Sequence, residues 1–177
     1  MQYTHLYRSP LGTITLAADS EGLTGLWFEG QKYFAATLDA QHEETMLPIF
    51  EQTRRWLDNY FGGNDPGPTP PLHLQGSPFR LAVWEILRQI PFGKTITYGK
   101  IAREIARRQG SKTVPAQAVG GAVGHNPVSI IVPCHRVVGS NGSLTGYAGG
   151  IERKVRLLAL EKADMTGLFA PQKGTAL

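Results

Sequence analysis

Hydrophobic and polar positions alternate along residues 11–18 and again along residues 23–28, with the turn-forming stretch 19–22 between them. A period of two places every second side chain on one face of a sheet, so two strands are predicted, and residues 3–7 can pair alongside. The period then lengthens. Ile49, Thr53, Trp56, Leu57 and Tyr60 recur three and four apart, which predicts a helix with one buried face. The run Gly62-Gly63-Asn64-Asp65-Pro66-Gly67-Pro68-Thr69-Pro70-Pro71 supports neither helix nor central strand and is expected to be a semi-extended linker.

Helical spacing dominates the second half of the chain. Ser77-Pro78 supplies a cap and first residue for a helix whose apolar face is Phe79, Val83, Ile86, Leu87 and Ile90, stopped by Pro91 and Gly93. Thr97 caps a second helix that runs through Arg108 with Ile101, Ala102 and Ile105 inward. After the polar turn 109–112, a third helix over residues 115–123 is faced with small residues, including Gly120 and Gly121. Each glycine there costs about 1 kcal/mol relative to alanine, so it needs a reason, either a close external approach or tight packing against the neighbouring helix. Two helices joined by a short turn, the second with tiny residues, suit a helix-turn-helix lying close to a nucleic-acid backbone. His125-Asn126-Pro127 then forms a turn, residues 129–132 read as a strand, and a glycine-rich loop spans 139–150. A last helix runs from Ile151 to about Ala163 with Ile151, Val155, Leu157 and Leu158 buried. The expected division is an α/β domain over 1–61, a linker over 62–75, a second domain over 76–165 and a flexible tail over 166–177.

Charge sharpens the contrast between the halves. Residues 1–75 carry 4 Lys/Arg against 9 Asp/Glu and residues 76–165 carry 13 against 5, so the positive field of a chain with net charge +4 belongs to the second half. Such asymmetry fits a polyanionic partner as well as a solvated basic face. At 177 residues and 41% apolar content the chain can build packed cores. No apolar run reaches signal or membrane-spanning length, so a cytoplasmic protein with no membrane partner is expected. The single cysteine excludes an internal disulfide framework and a multi-cysteine zinc site, and His5, His42 and His73 are too scattered to argue for a metal. Neither metal nor cofactor is expected.

That cysteine sits in Ile130-Ile131-Val132-Pro133-Cys134-His135-Arg136-Val137, between an apolar stretch and a basic, imidazole-bearing turn. A lone cysteine is ordinarily a small buried hydrophobe. Here Pro133 stiffens the approach and His135 and Arg136 are both placed to lower the thiol pKa, which points to a nucleophile at the edge of a rigid element.

With Pro133-Cys134-His135-Arg136 lying downstream of Asn126-Pro127 and upstream of Thr145-Gly146-Tyr147-Ala148-Gly149-Gly150, the chain resembles the O6-alkylguanine-DNA alkyltransferases, the methylated-DNA–protein-cysteine methyltransferases of direct repair. The likeness is dense over residues 79–161. It implies an α+β architecture: a small N-terminal ribonuclease-H-like domain of sheet and helix, and a C-terminal, mostly helical, winged helix-turn-helix alkyltransferase domain. The implied partner is double-stranded DNA carrying alkylated bases, entered through the minor groove by a monomer, with the lesion flipped out because a stacked base cannot present its alkyl carbon in line with sulfur. Cys134 would take the alkyl group from O6-alkylguanine, and O4-alkylthymine is expected as a second substrate. A thioether cannot be removed by these residues, so each molecule acts once.

The resemblance also distributes roles. Neighbours in an extended segment point to opposite faces, so His135 is expected to draw the Cys134 proton through a water rather than directly. Glu161, four residues after Leu157, would orient His135; without the resemblance it reads as a surface charge. Asn126 would tie the turn before the active-site strand, beyond serving as an ordinary Asn-Pro turn. Tyr98, otherwise a packing aromatic, would protonate the leaving guanine. Tyr147, with the backbone of Val137 and Ala148, would line the base pocket, and Ser140 would lie near the extrahelical nucleotide. Gln117 stands where well-known family members insert an arginine into the duplex, so a wedge role for it is an expectation. The turn around residues 109–113 is longer than usual, and Arg107, Arg108 and Lys112 are placed to recover phosphate contacts. Two rival readings are a lesion-binding protein without transfer, against which Cys134 argues, and a cysteine-histidine hydrolase, which leaves the basic half unexplained. Turnover separates them: none, one event, or many.

Overall fold

The computed structural model describes residues 1–171, which form two compact units. The first comprises residues 1–75 together with 127–131, and the second residues 76–126 and 132 onward. No helix among the described residues is long and apolar enough to cross a membrane.

In the first unit, strands β1 (Gln2–Ser9), β2 (Gly12–Ala18) and β3 (Leu23–Phe28) form an antiparallel meander. A short strand that the hydrophobic pattern does not reveal, β4 (His42–Glu44), joins β1 in parallel, giving the order β3-β2-β1-β4. Its three residues are all exposed and polar, so no alternation marks it. Helix α1 (Pro48–Phe61) buries Phe50, Thr53, Leu57 and Tyr60. It is pinned to β1 by stacking of His5 on Phe50, 5.9 Å between centroids, and by the Tyr7 hydroxyl donating to Asp58 at 2.7 Å. Although β3 is the end strand, all six residues are buried. Two segments cover its outer edge: His73 N–H donates to Leu23 O, and Leu26 exchanges backbone bonds with Pro127 O and Ser129 N–H. Covering an edge removes the unpaired donors and acceptors that invite aggregation.

The second unit is built from α2 (Pro78–Arg88), α3 (Tyr98–Gln109) and α4 (Ala116–Gly124). Ser77 and Thr97 act as caps, accepting from Arg80 N–H and Lys100 N–H respectively. Gly110 closes α3 in the left-handed conformation, φ +66°, which only glycine adopts without strain. Buried Trp84 of α2 donates its indole N–H to Ala122 O of α4 at 2.8 Å. Strands β5 (Ile96–Thr97) and β6 (Val137–Val138) pair in parallel, and α5 (Ile151–Leu160) completes the unit.

Two expectations are corrected here. Residues 129–132 are not a strand: only Val128 forms a bridge, to Leu26, and the chain beyond it turns repeatedly. Residues 166–169, expected to begin a flexible tail, are docked. Phe169 exchanges backbone bonds with Gly142 and Leu144, and Leu168 packs against Val138, Leu144, Leu158 and Ala163, an apolar site that one isolated leucine in the sequence does not advertise. Residues 172–177 of that segment lie outside the described residues.

Trp84→Phe keeps most of the buried ring and strands the Ala122 carbonyl without its donor. An unsatisfied buried acceptor costs about 1–3 kcal/mol, so the urea midpoint should fall with an unchanged slope.

Candidate active site

Tight turns, not a strand, deliver Cys134. Ile131 N–H donates to Ser129 O at 2.8 Å around Ile130, whose φ is +69°. That is a γ-turn closed on a β-branched residue, a conformation costing about 1–3 kcal/mol. Cys134 N–H then donates to Val132 O at 2.8 Å around Pro133, at φ −83° and ψ 66°, an inverse γ-turn that suits the ring-locked φ of proline. A single 3-10 turn, Cys134–Arg136, follows. Asn126 Nδ2 donates to Val132 O at 2.7 Å, which closes the excursion over residues 127–131 and sets the position of the thiol.

Cys134 is buried, and burial pushes its thiol pKa up. The Asn126 side chain, the charge of Lys154 and the backbone bonds of Cys134 and His135 oppose that rise without cancelling it. The expectation that His135 and Arg136 would lower the pKa is therefore corrected: burial keeps the resting thiol protonated, and both neighbouring side chains are committed to Glu161.

Glu161, at the end of α5, is buried and accepts four hydrogen bonds. His135 Nε2 lies 2.5 Å from one oxygen, Arg136 donates from Nε at 2.8 Å and from a terminal nitrogen at 3.1 Å, and Gly93 N–H donates at 2.9 Å. Another Arg136 nitrogen donates to Ile90 O at 2.7 Å. Burial alone would push the Glu161 carboxyl up, but His135 and Arg136 outweigh it and hold the group well below the usual carboxylate range. Burial pushes the fully enclosed His135 down, more than Glu161 raises it, so the ring is neutral near pH 7. An ionised Glu161 requires the proton on Nε2, which leaves Nδ1 as the basic nitrogen.

Around this core the Tyr98 hydroxyl donates to Thr145 O at 3.1 Å, and burial, with the Cys134 charge, pushes its pKa up. The Tyr147 ring stands edge-on to His135 at 6.3 Å. Gly149 makes room for it, since a Cβ there would lie 2.5 Å from the ring. Val137 is buried and Ala148 half-buried. Gln117 and Ser140 are exposed and lie outside this hydrogen-bonded cluster. Arg107 and Arg108 pair with Glu104 at 2.7 and 3.0 Å, while Arg103 and Lys112 line a notch of about 120 Å³ beside α3. A Cβ on Gly121 would meet nothing within 4 Å, so packing does not demand glycine there.

Lys154 was not singled out by the sequence. It is fully buried, donates to Val137 O and, at 3.0 Å, to Thr145 O, and lies four residues before the recognised core position Leu158, which is the signal that would have found it. From the sequence Arg136 reads only as a neighbour that could lower the thiol pKa. Its actual task, the pairing with Glu161, shows only once α5 folds back on the turn.

Among the described residues, Asp19, Glu21 and His73 gather three potential metal-ligand atoms within 4.8 Å. Both imidazole nitrogens already face carboxylates, Nδ1 to Asp19 at 2.6 Å and Nε2 to Glu21 at 2.9 Å. The Asp19 hydrogen bond raises the His73 pKa, so the cluster is an ion pair that uses the atoms a metal would need.

Comparison with known proteins bears on this geometry. A family model described as "6-O-methylguanine DNA methyltransferase, DNA binding domain" matches residues 78–163, and one described as "6-O-methylguanine DNA methyltransferase, ribonuclease-like domain" matches residues 2–72. The methylated-DNA–protein-cysteine methyltransferase of Haemophilus influenzae is 41% identical over 92% of this chain and 87% of its own. That of Methanosarcina acetivorans is 42% identical over 90% and 97%. The crystal structure of Mycobacterium tuberculosis OGT in complex with DNA superposes with a TM-score of 0.77 at 40% identity, covering 94% of this chain and 99% of that one.

Glu161→Gln leaves the buried Arg136 cation without its counter-charge and should cost about 3–5 kcal/mol at pH 7. Because the native carboxyl pKa is depressed, its contribution is complete above the unfolded value of about 4.3 and is lost as pH falls toward the native value. Denaturant titrations below pH 5 should show that loss in the wild type and a flatter curve in Glu161→Gln.

Proposed function

The chain belongs to the 6-O-methylguanine DNA methyltransferase family, and on that premise we propose that it reverses alkylation damage in DNA by moving the alkyl group from O6-alkylguanine to Cys134, once per molecule. The observation that carries the assignment is the buried Asn126–Cys134–His135–Glu161 arrangement: the chain's one thiol, held by turns and followed directly in the chain by a neutral imidazole anchored through Nε2 on a carboxylate. O4-alkylthymine is the expected second substrate. DNA entering along α4, with its exposed Gln117 and uncrowded Gly121, brings the lesion, and burial of the resting thiol keeps it protonated until then.

In the reaction, Nδ1 of His135 takes the thiol proton, relayed by a water, and Glu161 stabilises the resulting imidazolium. The sulfur forms a bond to the alkyl carbon while the carbon–O6 bond breaks, and its electron pair leaves with guanine. The base then gains a proton, restoring normal guanine, and the protein keeps a thioether. Tyr98 is assigned to donate to the departing guanine. Its raised pKa suits a hydrogen-bond donor that surrenders its proton only as negative charge develops on the base. Tyr147 and the backbone of Val137 and Ala148 line the base pocket, Ser140 lies beside the extrahelical nucleotide, and Gln117 fills the gap left in the duplex. Arg103 and Lys112 contact backbone phosphates more directly than Arg107 and Arg108, which Glu104 partly neutralises. We place the protein in the cytoplasm, where its lone thiol stays reduced.

The first test is intact mass after incubation with a duplex holding one O6-methylguanine. The wild type should gain one methyl in place of one hydrogen and saturate at one per molecule, and Cys134→Ser should gain none. Lesion-selective binding without a mass change would support a damage sensor, and repeated turnover would support a hydrolase. Gln117→Ala should weaken binding and slow transfer, and unchanged values for both would remove the wedge role.

A further inference from the structure

The turn that carries Ser140 has little in its own sequence to hold it. Gly139-Ser140-Asn141-Gly142-Ser143 contains two glycines and no apolar side chain, the composition of a mobile tip. Its internal bonds are short-range: Gly139 N–H donates to Ser143 O at 2.8 Å, Gly142 N–H to Gly139 O at 2.9 Å, and Ser143 N–H to the Asn141 side chain at 3.1 Å. A fastening comes from beyond α5. Asp164 accepts from Thr166 N–H at 3.0 Å and Leu168 N–H donates to Met165 O at 3.1 Å, a reversal that lays Phe169 along the turn. There Phe169 N–H donates to Gly142 O at 3.0 Å and Leu144 N–H donates to Phe169 O at 2.9 Å, so Ser143 and Phe169 form one parallel bridge. The fit is close: a Cβ on Gly142 would lie 2.0 Å from Gly167 O.

Leu168 supplies the adhesion, since it packs against Val138 of β6, Leu144 of the turn, Leu158 of α5 and Ala163. The Phe169 ring stays 46% exposed, so that residue acts through its backbone. Beyond Leu144 the chain runs directly into Thr145, whose carbonyl accepts the Tyr98 hydroxyl. Resting on the repair reading, we propose that residues 165–169 are a positioning strap: they hold the turn 139–144 in advance in the shape that seats the extrahelical nucleotide. The gain is preorganisation. A glycine-rich turn that became ordered only on binding would lose its backbone entropy at that moment and weaken the seating of the lesion, whereas a strapped turn has lost it already in folding. Because these contacts are with the turn, β6 and α5, the strap governs the seating of the nucleotide and leaves the sulfur chemistry to the residues around Cys134.

The test compares the full chain with Leu168→Ser and with a chain ending at Met165, in single-turnover transfer from a duplex holding one O6-methylguanine. Either change should raise the half-saturating duplex concentration by about 5–30-fold, the equivalent of ordering one backbone residue on binding. The transfer rate at saturation and the affinity for an undamaged duplex of the same sequence should stay at their wild-type values. Leu168→Met, which refills the apolar site, should restore the half-saturating concentration. Amide exchange at Leu144 reports the strap directly: its N–H should be protected in the wild type and exchange at least about tenfold faster in both variants. Faster exchange with an unchanged half-saturating concentration overturns the positioning role, as does an equal loss of affinity for undamaged DNA. Equal protection of the Leu144 amide in wild type and variants overturns the strap itself. Should the shortened chain fail to fold, Leu168→Ser carries both readouts. A wild-type protein that takes up no methyl group overturns the repair reading instead, and the strap is then judged on Leu144 exchange and on affinity for the lesion duplex.

Discussion

A single buried carboxylate organises the second unit. Glu161 closes α5 and receives donors from Gly93, just after α2, and from His135 and Arg136 of the 3-10 turn, so three separated segments meet on two oxygen atoms. A carboxylate in such surroundings is tolerable only when every lone pair is engaged and a full positive charge lies against it. Arg136 provides that charge in a two-pronged contact, and its remaining terminal nitrogen is used on Ile90 O. The imidazole is thereby held by a partner already neutralised. His135 stays uncharged at rest, and its orientation is fixed by a bond it cannot exchange for water.

The thiol is governed by a different constraint. Three successive turns, around Ile130, Pro133 and the 3-10 segment, leave Cys134 no freedom of approach, and Asn126 spans the loop that contains the first of them. Backbone strain at Ile130 is sustained because its neighbours on both sides are pinned, residues 127–129 by β3 and Val132 by Asn126. This rigidity has an electrostatic counterpart. Burial keeps the sulfur protonated, and the groups that would stabilise its anion are already in place before any substrate arrives. Catalysis by preorganisation works in this way, since dipoles and charges that need not move cost nothing at the moment of reaction.

The first unit carries none of this chemistry. Its role visible in the structure is mechanical: β3, an end strand with every residue buried, is the template on which residues 127–129 and the end of the linker are laid. The stretch between α4 and the nucleophile thus takes its conformation from pairing with a strand about a hundred residues earlier in the chain, which explains why a local reading of Ser129 to Val132 misassigned it.

What the sequence determined by itself was whatever depends on short-range pattern. Alternation marked β1 to β3, helical spacing marked α1 to α5 within a few residues, Ser77 and Thr97 marked two helix starts, and the motif around Cys134 indicated the chemistry. Glu161, four residues after Leu157, reads as a surface charge from its spacing, and only the family resemblance assigned it to His135. Tertiary structure decided the rest, because it concerns which distant groups share a buried volume. The commitment of Arg136 to Glu161, the raised thiol pKa, the docking of Leu168 and Phe169, and the γ-turns before Cys134 all depend on partners far away in sequence. Lys154 shows the boundary most plainly. Its helical position was legible from Leu158, but a lysine reads as a solvent-facing residue until the fold withdraws water from it and supplies two carbonyls in exchange.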